Sequence, residues 1–352
     1  MTNNYAIQVE LGKTPHIFCV TDSQASFSPR RKEPNAPKLV QHGHNLIMSS
    51  GRGDIVNRVY THLSQNDVTA DTVSAQELAI ALSTMFEEMG IKIQHQEDST
   101  YFLVMGRNKD DKDKLQMYEV SIICRDIPGK PYDLIPVNHD SYGAGSGSAY
   151  VRAALERDGE MGFFATPSTA LEAMYLLFLV GKKAGTDIGV NEKLQLGFIS
   201  PAAVRVLRAP GVQHPSREGL NRYIESLTSI KGIISPEFAE DFYVRDRKSE
   251  SDRYTAISRT LDDFYYAWET QMYRLLNRDF KANAVHTRLK SGEANIADYE
   301  RAMQDRKIEV EATQPVVEAF MQGGIENIVT ALRQFRTGQD AFYEAALQAG
   351  AR

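Results

Sequence analysis

Residues 5–22, YAIQVELGKTPHIFCVTD, hold two apolar runs on either side of Gly12-Lys13-Thr14-Pro15. Strand-forming residues broken by such a turn predict a β-hairpin, and so an antiparallel start to the sheet. A second hairpin is predicted from "KLVQH" and "NLIMSS" around Gly43. Two helices follow. One opens after Gly53, and the other carries a capping box, Ser74 to Glu77, with Leu78, Leu82, Met85 and Met89 on one stripe. "YFLVM" and "LQMYEVSIIC" read as strands either side of a charged turn, "GRNKDDKDK". Two further helices are expected at 148–157 and 166–184, the second capped by Thr166 with Pro167 at its first position. The strand "KLQLGFIS" closes the block. Strand pairs alternating with helix pairs do not make a parallel doubly wound sheet. They suit an α+β fold of two antiparallel sheets packed face to face with helices outside.

Beyond Pro201 the pattern changes. Ile257, Leu261, Phe264, Trp268, Met272 and Leu275 are spaced as one helical stripe. A second long helical segment, 294–338, has Pro315 as its expected kink or break. The pair is expected to be antiparallel, joined near Ser291-Gly292. The expected domains are 2–200, a connecting segment 201–250, and a helical appendage 251–352.

Composition narrows the function classes. The 352 residues carry 42 % hydrophobic and 24 % charged side chains and a net charge of −6, the profile of an ordinary globular protein. An acidic chain argues against nucleic-acid binding. No apolar run reaches the ~20 residues of a membrane span, and the polar start carries no secretory signal, so the expected location is the cytoplasm. Cys19 and Cys124 lie in strand-like runs and read as reduced, buried thiols. The eight histidines lack zinc-type spacing, so neither a metal nor a cofactor is expected. Arg52-Gly53-Asp54 is read as a strand-to-helix turn.

The stretch YGAGSGSAYVRAAL, 142–155, concentrates glycine and serine ahead of a helix. It fails the dinucleotide pattern because Gly143, Gly145 and Gly147 recur every two residues. No Gly-Lys-Ser/Thr follows, so it is not a P-loop. Ser146 lacks the flanking glycines of a nucleophile elbow. What remains is a close-fitting loop whose hydroxyls serve a neighbouring group.

Thr2 supplies one candidate neighbour. Methionine removal before a small residue would leave a threonine that carries both a hydroxyl nucleophile and a free amine as its base. Asp22 ends the second strand and Lys38 opens the third, 38 − 22 = 16 residues apart. A cation beside an N-terminal threonine lowers its proton affinity, and a carboxylate holds that cation in place; a surface salt bridge is the plainer alternative.

The ordered motifs TNNYAI, VTDSQAS, PKLV, GRGD, GAGSGSAYVRAAL and GTDIGV, spread over about 2–200, resemble the proteasome β-subunit family, including HslV-type peptidases. The resemblance implies a four-layer αββα sandwich of the N-terminal-nucleophile type. It also implies roles: Thr2 as nucleophile, Lys38 as the group lowering pKa values, and Asp22 orienting Lys38. Ser146 and Asp187 would support the threonine amine and its water. The Gly51 N–H would form the oxyanion hole, with Ser50 the competing position. The Thr2–Asp22 interval is longer than the family's, and Val190 stands where the family has a serine. The implied activity is a threonine-type endopeptidase acting on polypeptide within a homo-oligomeric ring or related array. With no Walker motif in the chain, an ATPase would be a separate partner. The alternatives are a catalytically silent scaffold subunit and an amidase or transpeptidase.

Overall fold

The computed structural model describes residues 3–28, 31–33, 35–65, 73–90, 99–122, 132–138, 141–145, 147, 167–185, 190–212 and 250–350. The chain divides into two units, Met1–Ser226 and Leu227–Arg352.

The first hairpin joins β1 (Asn4–Leu11) to β2 (Thr14–Asp22) across Gly12-Lys13, with Asn4 opposite Thr21 and Leu11 opposite Thr14. A short ribbon, β3 (Ala25–Ser28) and β4 (Arg31–Glu33), follows. The second hairpin pairs β5 (Leu39–His42) with β6 (Asn45–Ser50). After helices α1 (Gly53–Gln65) and α2 (Ala75–Glu88) come β7 (Thr100–Arg107), β8 (Leu115–Ile122), β9 (Tyr132–Pro136) and β10 (Ser141–Ala144). Helix α3 (Ala170–Ala184) leads to β11 (Leu194–Ile199) and β12 (Val204–Arg208).

These strands form two five-stranded antiparallel sheets, ordered β10-β1-β2-β11-β12 and β5-β6-β7-β8-β9. The architecture is therefore α+β. On the second sheet, side chains alternate between two buried environments. Ile47, Phe102, Val104, Val120 and Ile122 join Leu78, Leu82 and Phe86 of α2 in one core. Leu46 points the other way, and a Cβ added to Gly197 of β11 would lie 2.5 Å from its Cδ1 and 2.5 Å from Cys19 Sγ. The missing side chain at 197 lets the sheets approach at that point. Because both faces are covered, "NLIMSS" and "HIFCVTD" read as unbroken apolar runs. Helix α3 lies against β1 and β2.

Helix α2 begins at the expected capping box, Ser74 with Glu77. Helix α3 is capped by Thr169 with Glu172, not by Thr166, which lies outside the described residues. The reciprocal Thr-x-x-Glu bonds satisfy two orphan backbone donors, which a proline at the first position does not. The expected helix at 148–157 also lies outside the described residues. Five strands go beyond the sequence reading: the β3–β4 ribbon, β9, β10 and β12. "YGA", read as loop, is edge strand β10 on β1, and β12 extends the sheet beyond Pro201. Both satisfy backbone groups that β1 and β11 would otherwise leave open.

The second unit contains α4 (Glu250–Lys290), α5 (Ile296–Gln322) and α6 (Ile325–Gly350). The six-residue stripe on α4 is buried throughout, and Tyr265 and Val317, Phe320, Ile328 and Leu332 of α5 and α6 are buried with it. The turn at 291–295 is where the sequence puts it, and Asn295 caps α5 through a box with Asp298. Pro315 does not break the helix. It sits inside α5, and the break falls at Gly323-Gly324, both with positive φ (66° and 85°). Burial of Val316, Val317 and Phe320 offsets the ~3 kcal/mol that an interior proline costs.

Candidate functional site

Asp22 is the last residue of β2, and Lys38 immediately precedes β5. Their side chains meet in the interior, Lys38 Nζ lying 2.9 Å from each carboxylate oxygen of Asp22. Lys38 is 5 % exposed and Asp22 0 %. The surface salt bridge left open by the sequence is thus excluded. Asp22 Oδ1 also accepts the Asn3 N–H at 2.9 Å, and Oδ2 accepts the Gln24 N–H at 2.9 Å. The carboxylate therefore binds the ammonium and the backbone at the start of β1 together. Burial pushes the Lys38 ammonium below the usual lysine range, and the charge and hydrogen bonds of Asp22 pull it part of the way back.

Residues that the sequence reading passed over hold this pair in position. Gln195 of β11 is fully buried; its Oε1 accepts the backbone N–H of Lys38 and of Leu39, each at 3.2 Å. Its Nε2 reaches Ala36 O, Ser23 Oγ and Asp22 O at 3.0, 3.1 and 3.3 Å. One amide thereby ties the Asp22 strand end to the Lys38 strand start. The Lys38 carbonyl accepts the Ser49 N–H at 2.9 Å, and the Tyr60 hydroxyl lies 3.1 Å from it and 2.7 Å from Ser49 Oγ. Arg208 Nη2 donates to the Leu39 carbonyl at 2.6 Å. A single signal pointed to Gln195: an amide inside the apolar strand LQLGFI must find hydrogen-bond partners.

Gly51 stands between β6 and α1 with φ of 110°. A Cβ there would lie 2.4 Å from Ser99 O and 2.6 Å from Thr100 Cα, so no other residue fits without a shift. The next N–H, of Arg52, donates to Thr100 Oγ1 at 3.1 Å. Ser50, the competing position, is buried at the end of β6 with no hydrogen-bond partner to its hydroxyl among the described residues.

The glycine-rich stretch runs beside the same strand end. Tyr5 pairs with Gly143 and Asn4 with Ala144. A Cβ on Gly147 would lie 3.0 Å from Asn3 Cβ, 3.0 Å from Ala184 Cβ and 3.3 Å from Val190 Cγ2. The structure thus brings together Asp22, Lys38 and the backbone of Asn3, with Gly147 against Asn3. Thr2, Ser146 and Asp187 lie outside the described residues, as do Cys124 and His139. Cys19 is buried, unpaired in any disulfide, and its thiol pKa is raised by burial. Among the described residues no group of histidine, cysteine and acidic side chains could hold a metal, and no helix is long and apolar enough to cross a membrane.

No protein-family model and no curated protein matches the chain. Solved structures to which it is similar include Anbu (ancestral beta-subunit) from Yersinia bercovieri, at 14 % identity, TM-score 0.42, 56 % of this chain and 81 % of that one. An Anbu (Gly-1) mutant from Hyphomicrobium sp. strain MC1 has 16 % identity and TM-score 0.41 over 63 % and 92 % of the two chains. These findings correct the assignment to the proteasome β-subunit and HslV-type peptidase family. The motif resemblance finds no matching family model, and the two solved structures named above are Anbu proteins at low TM-scores.

Proposed function

We propose that the first unit carries out amide-bond acyl transfer with Thr2 as an N-terminal nucleophile once the peptide bond before it is cleaved. The observation that carries this reading is the buried Lys38–Asp22 pair, whose carboxylate also binds the N–H of Asn3, the residue covalently next to Thr2. An ion pair taken out of water is a poor source of stability, and a lysine depressed by burial is a common mark of a reactive site. We read the two sheets, with α2 against one and α3 against the other, as a four-layer αββα sandwich with this pair at one end.

In the proposed reaction the Thr2 hydroxyl loses its proton to the α-amine through a water, and its oxygen attacks the amide carbonyl. The Gly51 N–H would bind the oxyanion, and Ser146 and Asp187 would hold the amine and its water. The leaving amine takes the proton, and the ester left on Thr2 is released by water or by another amine. Peptides and small amides both fit this chemistry. An endopeptidase acting on polypeptide within a closed homo-oligomer, with a separate ATPase, is its most specific form. Thr2→Ala should abolish both cleavage of fluorogenic amides and labelling by threonine-directed epoxyketones. Lys38→Ala should lower the rate roughly 10²–10⁴-fold, the scale of lost acid–base assistance. Full activity in Thr2→Ala would end the proposal.

Val190 favours a second reading, a silent scaffold subunit. It is buried against Gly147, and its aliphatic side chain offers no hydrogen bond to the site. Intact-mass analysis separates the two, because a residue retained before Thr2 blocks the amine.

A further inference from the structure

The carboxamide of Asn3 is a buried polar group that the reaction above leaves unused. Asn3 is 1 % exposed, and neither its Oδ1 nor its Nδ2 has a hydrogen-bond partner among the described residues. Gln195, another buried amide of the same region, is bonded at both ends. The groups that converge on the Asn3 side chain cannot serve it: Gly147 has no side chain, and those of Ala184 and Val190 are aliphatic. An amide buried with both ends unpaired weakens a fold, so packing does not account for it.

Its place in the chain supplies a reason. The Asn3 N–H is held on Asp22 Oδ1, the same oxygen that takes the Lys38 ammonium. The preceding residue is Thr2, whose α-amine is the base of the proposed reaction. A carboxamide oxygen that accepts from an amine favours its protonated form, and so makes the amine a stronger base. Substrate does not reach a side chain that is 1 % exposed, so the carboxamide acts on the chain's own atoms.

We propose that Asn3 is a positioning residue of the Thr2 site, its Oδ1 accepting an N–H of the Thr2 α-amine and so orienting that amine as the base. The assignment rests on the N-terminal-nucleophile reading above. When the Thr2 hydroxyl proton reaches the amine through water, Oδ1 holds the resulting ammonium. Nδ2 is left to donate to that water. Asn3 itself neither gains nor loses a proton.

Two substitutions in the full chain test this. Asn3→Leu keeps roughly the same size and removes the unpaired polar atoms, so its urea unfolding midpoint should hold or rise. Its kcat on fluorogenic amides should nevertheless fall at least tenfold, with KM little changed. The pKa of the Thr2 amine, read by mass spectrometry from the pH dependence of its acylation, should fall in the same variant. In Asn3→Asp a carboxylate faces the amine, and that pKa should rise by about 1 pH unit or more, carrying the acid limb of kcat/KM with it. An amine pKa unchanged in both variants would overturn the proposal, as would full kcat in Asn3→Leu. Failure of the underlying reading looks different: full activity in Thr2→Ala, or a residue retained before Thr2 in the parent protein, ends that reading and the role of Asn3 with it.

Discussion

In the first unit the side chains of Lys38 and Asp22 are 7 and 0 % exposed, and the Asp22 carboxylate also accepts the backbone N–H of Asn3 and of Gln24. In the second, Arg278–Asp305 and Arg336–Asp263 stay part-exposed, at 29 and 48 % and at 47 and 30 %, around a core centred on Trp268, Tyr265 and Phe264. Exposed pairs of that kind contribute about 0–1 kcal/mol each, and although Arg306–Asp279 is mostly buried, at 17 and 9 %, the helical unit stands mainly on its apolar core. A buried pair costs desolvation that its attraction barely offsets, so stability alone does not explain Lys38 and Asp22. The difference separates a region arranged around a charged site from one arranged around packing.

The sharpest way to break that comparison is to remove one partner of each kind of pair. Lys38→Met leaves the Asp22 carboxylate buried without its cation and should cost about 3–5 kcal/mol in urea unfolding. Arg336→Ala should cost under about 1 kcal/mol. Adding Asp22→Leu to Lys38→Met should recover a large part of the loss. Equal costs for the two single variants would erase the distinction.

Trp268→Ala should cost a similar ~3–5 kcal/mol, through a cavity rather than a stranded charge. Hydrogen exchange would locate that loss in the amides of α4 and leave β2 and β11 unchanged. Gln195→Ala should cost about 2–3 kcal/mol, because it leaves the Lys38 and Leu39 amides and the Ala36 carbonyl without its bonds. If its unfolding midpoint matches that of the parent, Gln195 does not hold the pair. Thr169→Ala should cost about 1 kcal/mol, the usual worth of a cap, whereas Thr166→Ala should cost less.

The smallest expected effect is a slope with pH. His16 is buried beside Phe198, and burial lowers its pKa below the ordinary 6.5. The unfolded chain therefore takes up the proton first as pH falls, so this contribution is full above about 6.5 and is lost below it. His16→Phe should flatten the stability profile on the acid side; an unchanged slope would assign it to another group.

Much of the architecture was legible because its causes are local. The Gly12-Lys13 and Gly43-His44 turns join neighbouring strands, Ser74 and Glu77 sit three residues apart, and the α4 stripe repeats within one helix. Thr169 was legible by the same rule, since Glu172 follows three residues later; Pro167 drew the boundary to Thr166 instead. Pro315 was misread because local propensity says nothing about the side chains packed around it.

The Lys38–Asp22 pair was legible as well, since both residues close or open predicted strands. That they meet with almost no solvent is a property of the folded sheets. Gln195 bonds the backbone of Lys38 and Asp22 across 157 and 173 residues, a distance over which no periodicity or motif carries information. The hairpin turns, the strands they join, the Ser74–Glu77 cap and the α4 stripe follow from the sequence by itself, because neighbouring residues settle them. Which buried polar groups meet, which loop becomes an edge strand, and which aromatics stay on the surface were decided only by tertiary packing. Those outcomes depend on the sheets and helices meeting in space, where each polar group must find its partner.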